Sequence, residues 1–274
     1  MLQPILRSLH VYPLKSVQGD APAEADVQPW GLAGDRRWML VDGEGRQVTQ
    51  RPQPRLALVR ARPQAGGAIA LTAPGQEPLT VSVPDPVRTV PVEVWQDKVE
   101  AVPADEAAQA WFRSYLDTEV TLVHLDDPAV RRPIDPEFAR PGETVSFADG
   151  FPLLLTTVSS LDALNSLIAQ GDHADEGPLP MNRFRPNAVV EGTAPWAEDD
   201  WSRIAIGDVA FRVAKPCARC VVTTTDQDTG ARGKEPLRTL ARHRNHDAAL
   251  LFGQNLVPER PGTVRVGDTV RILE

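Results

Sequence analysis

Backbone breakers recur so often along this chain that long uninterrupted helices have no room. There are 26 prolines and 19 glycines among 274 residues, and the proline share is about twice the ~5% of an average protein. Short alternating apolar runs lie between the breakers, the pattern of many short strands. Leu6 to Pro13 reads as extended, and Trp38-Met39-Leu40-Val41 runs into Asp42-Gly43-Glu44-Gly45, a hairpin signal. Leu56 to Ala61 and Ala68 to Leu71 flank Gly66-Gly67, and Leu79 to Val83 and Val90 to Trp95 follow as strands. One helix is predicted from Asp105 to Leu116, because Ala108, Trp111, Phe112 and Tyr115 fall at helical spacing.

A second group of elements starts near Phe151. Pro152-Leu153-Leu154-Leu155 reads as a short buried strand, and Ser159 and Asp162 have capping-box spacing. Leu161, Leu164, Leu167 and Ile168 then form one helical stripe that Gly171 ends. Ile204 to Phe211 and Val264 to Arg271 each read strand, Gly-Asp turn, strand, which suits a closed barrel. The length is about 1.8 times the ~150-residue domain prior, so two domains are expected. The stretch 126–144, rich in proline, arginine and acids, is the linker or loop between a first domain, 1–125, and a second, 145–274.

Composition narrows the partners. With 37 acidic against 29 basic residues, the net charge is −8, poorly suited to non-specific nucleic-acid or anionic-membrane binding. No apolar run reaches the ~18–20 residues of a membrane span. The first residues carry no signal-peptide pattern. A soluble, cytoplasmic protein without nucleic-acid or membrane partners is expected.

The sharpest chemical feature is Lys215-Pro216-Cys217-Ala218-Arg219-Cys220, which holds both cysteines of the chain. Four readings stand. The pair is a redox dithiol, although the β-branched run Val221-Val222-Thr223-Thr224-Thr225 disfavours the helix that the thioredoxin arrangement opens. It is half of a zinc site completed by distant residues such as His243 and His246. It supplies one thiolate to a soft metal held mainly by a cofactor. Or it is two buried small hydrophobes.

A second feature is basic residues beside turns and strand ends: Lys15-Ser16, Arg36-Arg37, and Arg183-Phe184-Arg185-Pro186-Asn187. They either converge on one anion, for which Arg offers a planar fork and Lys a point charge, or pair with surface acids. The chain has no G-x-G-x-x-G, Walker, H-E-x-x-H or G-x-S-x-G pattern. The five histidines form no short-range ligand set, and the six tryptophans read as core or domain-seam residues.

An ordered series of motifs resembles the MOSC-domain family, specifically the group of the mitochondrial amidoxime-reducing component and its bacterial relatives. It runs from Val11-Tyr12-Pro13-Leu14-Lys15-Ser16 and Gly34-Asp35-Arg36-Arg37-Trp38 through Arg51-Pro52-Gln53-Pro54-Arg55-Leu56 to Ser160-Leu161-Asp162-Ala163-Leu164-Asn165. Asn182-Arg183-Phe184-Arg185-Pro186-Asn187, Ile206-Gly207-Asp208-Val209 and Cys217-Ala218-Arg219-Cys220 follow, the last leading into Thr223 to Gly230. Leu251-Phe252-Gly253-Gln254 and Pro261 to Asp268 close the series.

The resemblance implies an α+β, β-rich fold, a MOSC β-barrel joined to an N-terminal MOSC-type β domain with a few helices. It also implies a mononuclear molybdenum–molybdopterin cofactor, with Cys220 as metal ligand and catalytic residue, Arg219 and Lys215 favouring its thiolate, and Cys217 a neighbour. Lys15, Ser16, Arg36 and Arg185 would anchor the phosphate, with Thr157, Ser160 and Asn187 as hydrogen-bonding partners and Arg219 beside them. The implied activity is reduction of N-hydroxylated compounds such as amidoximes, hydroxylamines and N-hydroxylated bases. The alternative is a cofactor or sulfur carrier without turnover. No iron–sulfur, flavin or nicotinamide motif is present, so electrons are expected from an external ferredoxin or cytochrome b5-like carrier and its reductase. Arg131-Arg132 and the run Arg238, Arg242, His243, Arg244 are the basic candidates for docking it.

Overall fold

Short strands, nearly all antiparallel, dominate the computed structural model, which describes residues 3–274. The largest sheet runs Ile5–Leu9, Ala188–Glu191, Leu153–Thr157, Ala249–Pro258, Val209–Ala218, Arg203–Ile206 and Val270–Ile272, neighbour to neighbour. Its ends meet. Ile5 bridges Thr269, and the Leu6 N–H donates to the Asp268 carbonyl at 2.8 Å. A nearly closed barrel results, which removes exposed sheet edges. Leu153–Thr157 and Ala188–Glu191 are the parallel pair in this sheet, and the helix Val158–Ile168 lies in their crossover. Leu6, Leu9, Leu153, Leu155, Ile204, Phe211 and Leu256 share the apolar core of this half.

The other half holds a five-stranded sheet in the order Gln47–Val48, Trp38–Val41, Thr121–His124, Asp97–Pro103, Val90–Val94. A three-stranded sheet, Arg60–Pro63, Ile69–Thr72 and Leu79–Val81, stands beside it. The predicted helix forms as Glu106–Leu116, capped by the Asp105 side chain, which accepts the Ala108 N–H at 2.9 Å. Its Trp111, Phe112 and Tyr115 join Leu40, Leu56 and Leu71 in one core. The fold is thus β-rich with few helices, as expected, and no helix of the described residues is long and apolar enough to cross a membrane.

The start of the chain sits with the C-terminal half. Ile5–Leu9 belongs to the barrel, and Glu24–Gln28 pairs with Gly262–Arg265 and with Gly31–Leu32. The stretch 126–144 is pinned by Arg132, which is 2% exposed. Its guanidinium donates to Asp97 Oδ2 at 2.8 Å and to the carbonyls of Ser146, Ala148 and Asp149.

Four local expectations shift. Thr157, not Ser159, caps the helix Val158–Ile168, because its Oγ1 accepts the Ser160 N–H at 3.2 Å. Pro54–Leu58 is a 3-10 turn, where proline at the first helical position presets the dihedral, so the strand begins only at Arg60. The first Gly-Asp segment makes the hairpin expected, Arg203–Ile206 with Val209–Ala218. The second hands the chain between sheets instead: Gly262–Arg265 pairs with Glu24–Gln28, and Val270–Ile272 with Arg203–Ile206. Finally, Val221–Thr224 winds a 3-10 turn despite its β-branched run. Thr223 Oγ1 donates to the Cys220 carbonyl and Thr224 Oγ1 to the Val221 carbonyl, both at 2.8 Å, which supports a single turn.

Phe184 and Phe252 stack with centroids 4.0 Å apart, and Trp196 meets Phe252 edge-on at 6.0 Å. This cluster fixes the backbone on either side of Phe184. Phe252→Ala is expected to cost about 3–5 kcal/mol of unfolding free energy, measured by urea denaturation, with Phe252→Leu costing less than half as much.

Candidate functional site

Seven segments meet around one cavity of about 290 Å³: residues 15–16, Arg36, 49–51, 148–154, 184–187, 215–223 and Asn255. Six cationic side chains (Lys15, Arg36, Arg51, Arg185, Lys215 and Arg219) line it, against one carboxylate, Asp149. In a chain of net charge −8, this local excess of positive charge is the reverse of the average surface. It suits an anion.

Lys15 is buried. Its N–H donates to the Trp38 carbonyl at 2.9 Å, and its Nζ donates to the Phe147 carbonyl at 2.8 Å and pairs with Asp149 Oδ1 at 2.5 Å. Burial pushes the ammonium down to about 8, although Asp149 pulls the other way. Burial also raises Asp149, but Lys15, then Arg51 and Arg36, outweigh it and hold the carboxyl far below its usual range.

Arg36 is anchored on three sides. Its Nη1 donates to Asp35 Oδ2 at 2.6 Å and Asn187 Oδ1 at 2.8 Å, and Nη2 to the Arg185 carbonyl at 3.2 Å. Asp35 is 1% exposed, and its Oδ1 accepts the Tyr12 N–H at 2.8 Å. Asn187 also accepts the Leu154 N–H at 3.2 Å and donates to the His10 carbonyl at 3.1 Å. Burial lowers the Arg36 pKa, but Asp35 outweighs it, so the guanidinium stays charged.

Arg185 is different. Among the described residues its guanidinium has no hydrogen-bonding or ion-pair partner; it lies over the Tyr12 ring at 4.4 Å, with Arg36 over the same ring at 4.6 Å. Burial lowers it to about 10, and Tyr12 offsets that only in part. A desolvated cation without a partner is a seat for an anion. Ser16, Arg36 and Arg185 all have left-handed backbones, φ 67°, 46° and 54°. Each such conformation costs roughly 1–3 kcal/mol and gathers at binding sites.

The sulfur edge is set by two irregularities in Val209–Ala218, between Val213 and Lys215 and between Pro216 and Ala218. Bulges re-aim side chains that would otherwise alternate; here Lys215, Cys217, Ala218, Arg219 and Cys220 all line the cavity. Both cysteines are free. Arg51 Nη2 donates to Cys220 Sγ at 3.1 Å, and Arg219 Nη1 donates to Cys217 Sγ at 2.9 Å while its Nη2 donates to the Phe184 carbonyl at 2.6 Å. Among the described residues no three His, Cys, Asp or Glu side chains gather as a metal site. The zinc reading of the pair therefore lacks its other ligands.

Seven residues expected at the cofactor line this cavity: Lys15, Ser16, Arg36, Arg185, Asn187, Arg219 and Cys220. Thr157 and Ser160 lie elsewhere. They are buried at the start of their helix, and their hydroxyls donate to Glu198 Oε2 at 3.1 and 2.9 Å. Burial raises the Glu198 pKa, with Ser160 working against it. Sequence reasoning missed the parts played by Tyr12, Arg51 and Asp149. Tyr12 and Arg51 stood inside quoted motifs, whereas no pattern marks Asp149. Of the basic residues expected to dock a carrier, Arg132 is buried among carbonyls, Arg131 pairs with Asp126 at 2.8 Å, Arg242 pairs with Asp172, and Arg244 pairs with Asp199 at 2.5 Å.

Fold and site together define a β-barrel protein with a cation-lined cavity and two free thiols at its wall. The family model described as the MOSC N-terminal beta barrel domain matches residues 3–119, and that of the MOSC domain matches residues 142–271. The chain is 34% identical over 283 residues to mitochondrial amidoxime-reducing component 1 of Homo sapiens, covering 97% of this chain and 82% of that one. It is 33% identical over 282 residues to mitochondrial amidoxime reducing component 2 of Rattus norvegicus, covering 95% and 80%. It is 30% identical over 265 residues to the molybdenum cofactor sulfurase of Oryza sativa subsp. japonica, covering 90% of this chain and 32% of that one. The chain belongs to the MOSC-domain family, in the group of the amidoxime-reducing components.

Lys15 should make anion binding in this cavity pH-dependent. Its charge is present below about 8 and lost as pH rises through that value, so calorimetric affinity for inorganic phosphate should fall between pH 7 and 9.5. Lys15→Met should weaken binding at pH 7 and remove this slope. Arg185→Gln should weaken it about 10- to 100-fold, the range of charge-assisted hydrogen bonds.

Proposed function

We propose that the cavity holds a molybdenum–pterin cofactor and that the chain reduces N-hydroxylated compounds, such as amidoximes, hydroxylamines and N-hydroxylated bases. One observation carries this reading: a free cysteine sulfur, Cys220, shares its cavity with six cations and a single carboxylate. A phosphate-bearing, thiolate-ligated cofactor needs both features at once. The donor set therefore fits the group.

In this reading Cys220 is the protein ligand of molybdenum, a soft donor for a soft site. Lys15, Ser16, Arg36, Arg185 and Asn187 clamp the phosphate, with Arg219 beside them. Arg185 is the free fork, and Arg36 is already oriented by Asp35 and Asn187. When bound, the cofactor supplies the two-electron reduction of the N–O bond. Conversion of N–OH to N–H takes two electrons and two protons and releases water. The chain's part is to hold the cofactor, shape the opening and keep Cys220 in place.

Electrons come from a separate ferredoxin or cytochrome b5-like carrier with its reductase, because the sequence contains no flavin, nicotinamide or iron–sulfur motif. The likeness to the rice molybdenum cofactor sulfurase favours a second reading, a cofactor or sulfur carrier without turnover. Its distinguishing property is retention of molybdenum through gel filtration without reduction of any N-hydroxylated substrate.

The test uses protein expressed with cofactor synthesis intact. Molybdenum content and benzamidoxime reduction with an artificial electron donor should both be present in wild type. Cys220→Ala should lose both by more than the ~10- to 100-fold seen for residues surrounding a metal, whereas Cys217→Ala should keep its metal. NADH alone should drive no turnover until carrier and reductase are added. A molybdenum-loaded protein inactive on every N-hydroxylated substrate would reject the reductase reading.

A further inference from the structure

Arg51 lies half-buried on the cavity wall. Its guanidinium donates to Cys220 Sγ at 3.1 Å, the one hydrogen bond that this side chain makes among the described residues. Among those residues no carboxylate stands within ion-pairing distance of it. Asp149 feels its charge but is paired with Lys15. The cation of Arg51 is thus directed at a sulfur and not at an acid. Cys217 has an arginine of its own, Arg219, but that guanidinium is shared with the Phe184 carbonyl.

The fold holds Arg51 in this pose from both ends. The Arg51 carbonyl accepts Arg232 Nη2 at 2.5 Å, and the Arg51 N–H donates to Thr49 Oγ1 at 3.2 Å. The preceding Gln50 is buried and donates to the Ser16 carbonyl at 2.9 Å. At the other end the guanidinium lies over the Trp95 ring, 4.3 Å from its centroid, a cation–π contact. Trp95 is the tryptophan that escapes the core and seam roles read from the sequence. It stands at the tip of the hairpin joining Val90–Val94 to Asp97–Pro103, 42% exposed and with φ 60°. Glycine and asparagine are the ordinary occupants of such a tip, and a bulky residue there is an outlier. Core packing does not require it, because the buried side chains of this hairpin are Val92, Val94, Val99 and Ala101. Support of Arg51 accounts for a large ring at so strained a position.

We propose that Arg51, supported by Trp95, sets the reduction potential of the metal that Cys220 ligates, an assignment that rests on the cofactor reading and not on the identity of the substrate. A metal-bound thiolate donates electron density, and a hydrogen bond from a cation draws part of it back. Each electron added to the metal makes the sulfur more negative. The contact with Arg51 therefore strengthens on reduction, and the reduced states gain more from it than the oxidised one. Hydrogen bonds to ligating sulfurs and groups behind a metal ligand tune redox centres in this way. Arg51 holds the potential up and makes the centre easier for a one-electron carrier to reduce. It is a positioning residue, acting on the metal through the sulfur.

Potentiometric titration of the molybdenum-loaded protein, followed by electron paramagnetic resonance of the one-electron-reduced metal, tests this without any substrate. Arg51→Gln removes the charge and should lower the potentials by about 59 mV per one-electron step, a tenfold change in the ratio of reduced to oxidised metal. Arg51→Lys keeps a charge beside the sulfur and should recover more than half of that shift. Trp95→Asn suits the turn and leaves the cavity wall intact. It should move the potentials the same way by a smaller amount, at unchanged melting temperature and molybdenum content. If Arg51 were only structural, Arg51→Gln would alter melting temperature or metal content while its loaded fraction kept wild-type potentials, and that result overturns the proposal. Should Arg51→Gln hold no metal, wild-type potentials in Trp95→Asn overturn it instead. Wild type without molybdenum rejects the cofactor reading and this inference with it. A loaded protein inactive on N-hydroxylated compounds rejects only the reductase reading, and shifted potentials in its variants still support the role of Arg51.

Discussion

Six cations crowd the wall of one cavity, and the surrounding structure exists in large part to hold them against their own repulsion. Lys15 is buried and the other five are half-buried, so like charges face each other with little water between them, a cost that carboxylates, carbonyls or a bound anion offset. Asp35 is the counterweight of Arg36, as Asp149 is of Lys15. Asp35 fixes Arg36 with one oxygen and the Tyr12 N–H with the other, while Asn187 ties Arg36 to the Leu154 N–H and the His10 carbonyl. Four separate stretches of chain, around residues 10–12, 35–36, 154 and 187, close on this knot. Removal of one partner of such a buried pair typically costs about 3–5 kcal/mol, because the other charge is left uncompensated.

The cavity is shared between the halves. Arg51 comes from the N-terminal half, Arg185, Lys215 and Arg219 come from around the barrel, Lys15 follows the strand Ile5–Leu9, and Arg36 lies in the turn between Gly31–Leu32 and Trp38–Val41. The stretch 126–144 takes part through Arg132, whose hydrogen bonds to the carbonyls of Ser146, Ala148 and Asp149 set the backbone on which Asp149 stands. Asp149 in turn holds Lys15. A residue read from sequence as an exposed docking charge thus works from inside, three links from the anion seat.

What the sequence made legible follows from what was local. The predicted helix from Asp105 to Leu116, the Gly-Asp hairpin at Ile206 to Val209, and the apolar runs around Trp38 and Leu153 each carry a signal within a few residues, although the last two pair as strands with distant segments. Lys15, Ser16, Arg36, Arg185, Asn187, Arg219 and Cys220 were legible as a set only because their motifs occur in a familiar order. Their convergence was not. Bringing Arg51 to Cys220, 169 residues apart, or Asp149 to Lys15, 134 apart, depends on sheet register and bulges that no single-chain pattern encodes. Thr157 and Ser160 carry suitable hydroxyls, but the helix start and Glu198 claim them first. The membership of Ile5–Leu9 in the far barrel was hidden for the same reason: strand pairing across the whole length of the chain leaves no local mark.

The two cysteines show how backbone geometry divides chemically identical groups. Each sulfur accepts from one arginine, Cys217 from Arg219 and Cys220 from Arg51. Arg219 is also committed to the Phe184 carbonyl, so Cys217 sits beside a guanidinium already fixed in place by the phenylalanine cluster. Arg51 touches Cys220, which lines the cavity, and on its other side the Trp95 ring. Cys220 stands just beyond the second bulge, and its carbonyl accepts both the Thr223 N–H at 3.0 Å and Thr223 Oγ1 at 2.8 Å. Those two bonds hold the Cys220 backbone at the head of a rigid turn, whereas Cys217 lies on the irregular end of a strand. A metal ligand must be held within a fraction of an ångström by the groups behind it. Of the two positions, Cys220 is the one tied into a hydrogen-bonded turn, which supports its assignment in the proposed function.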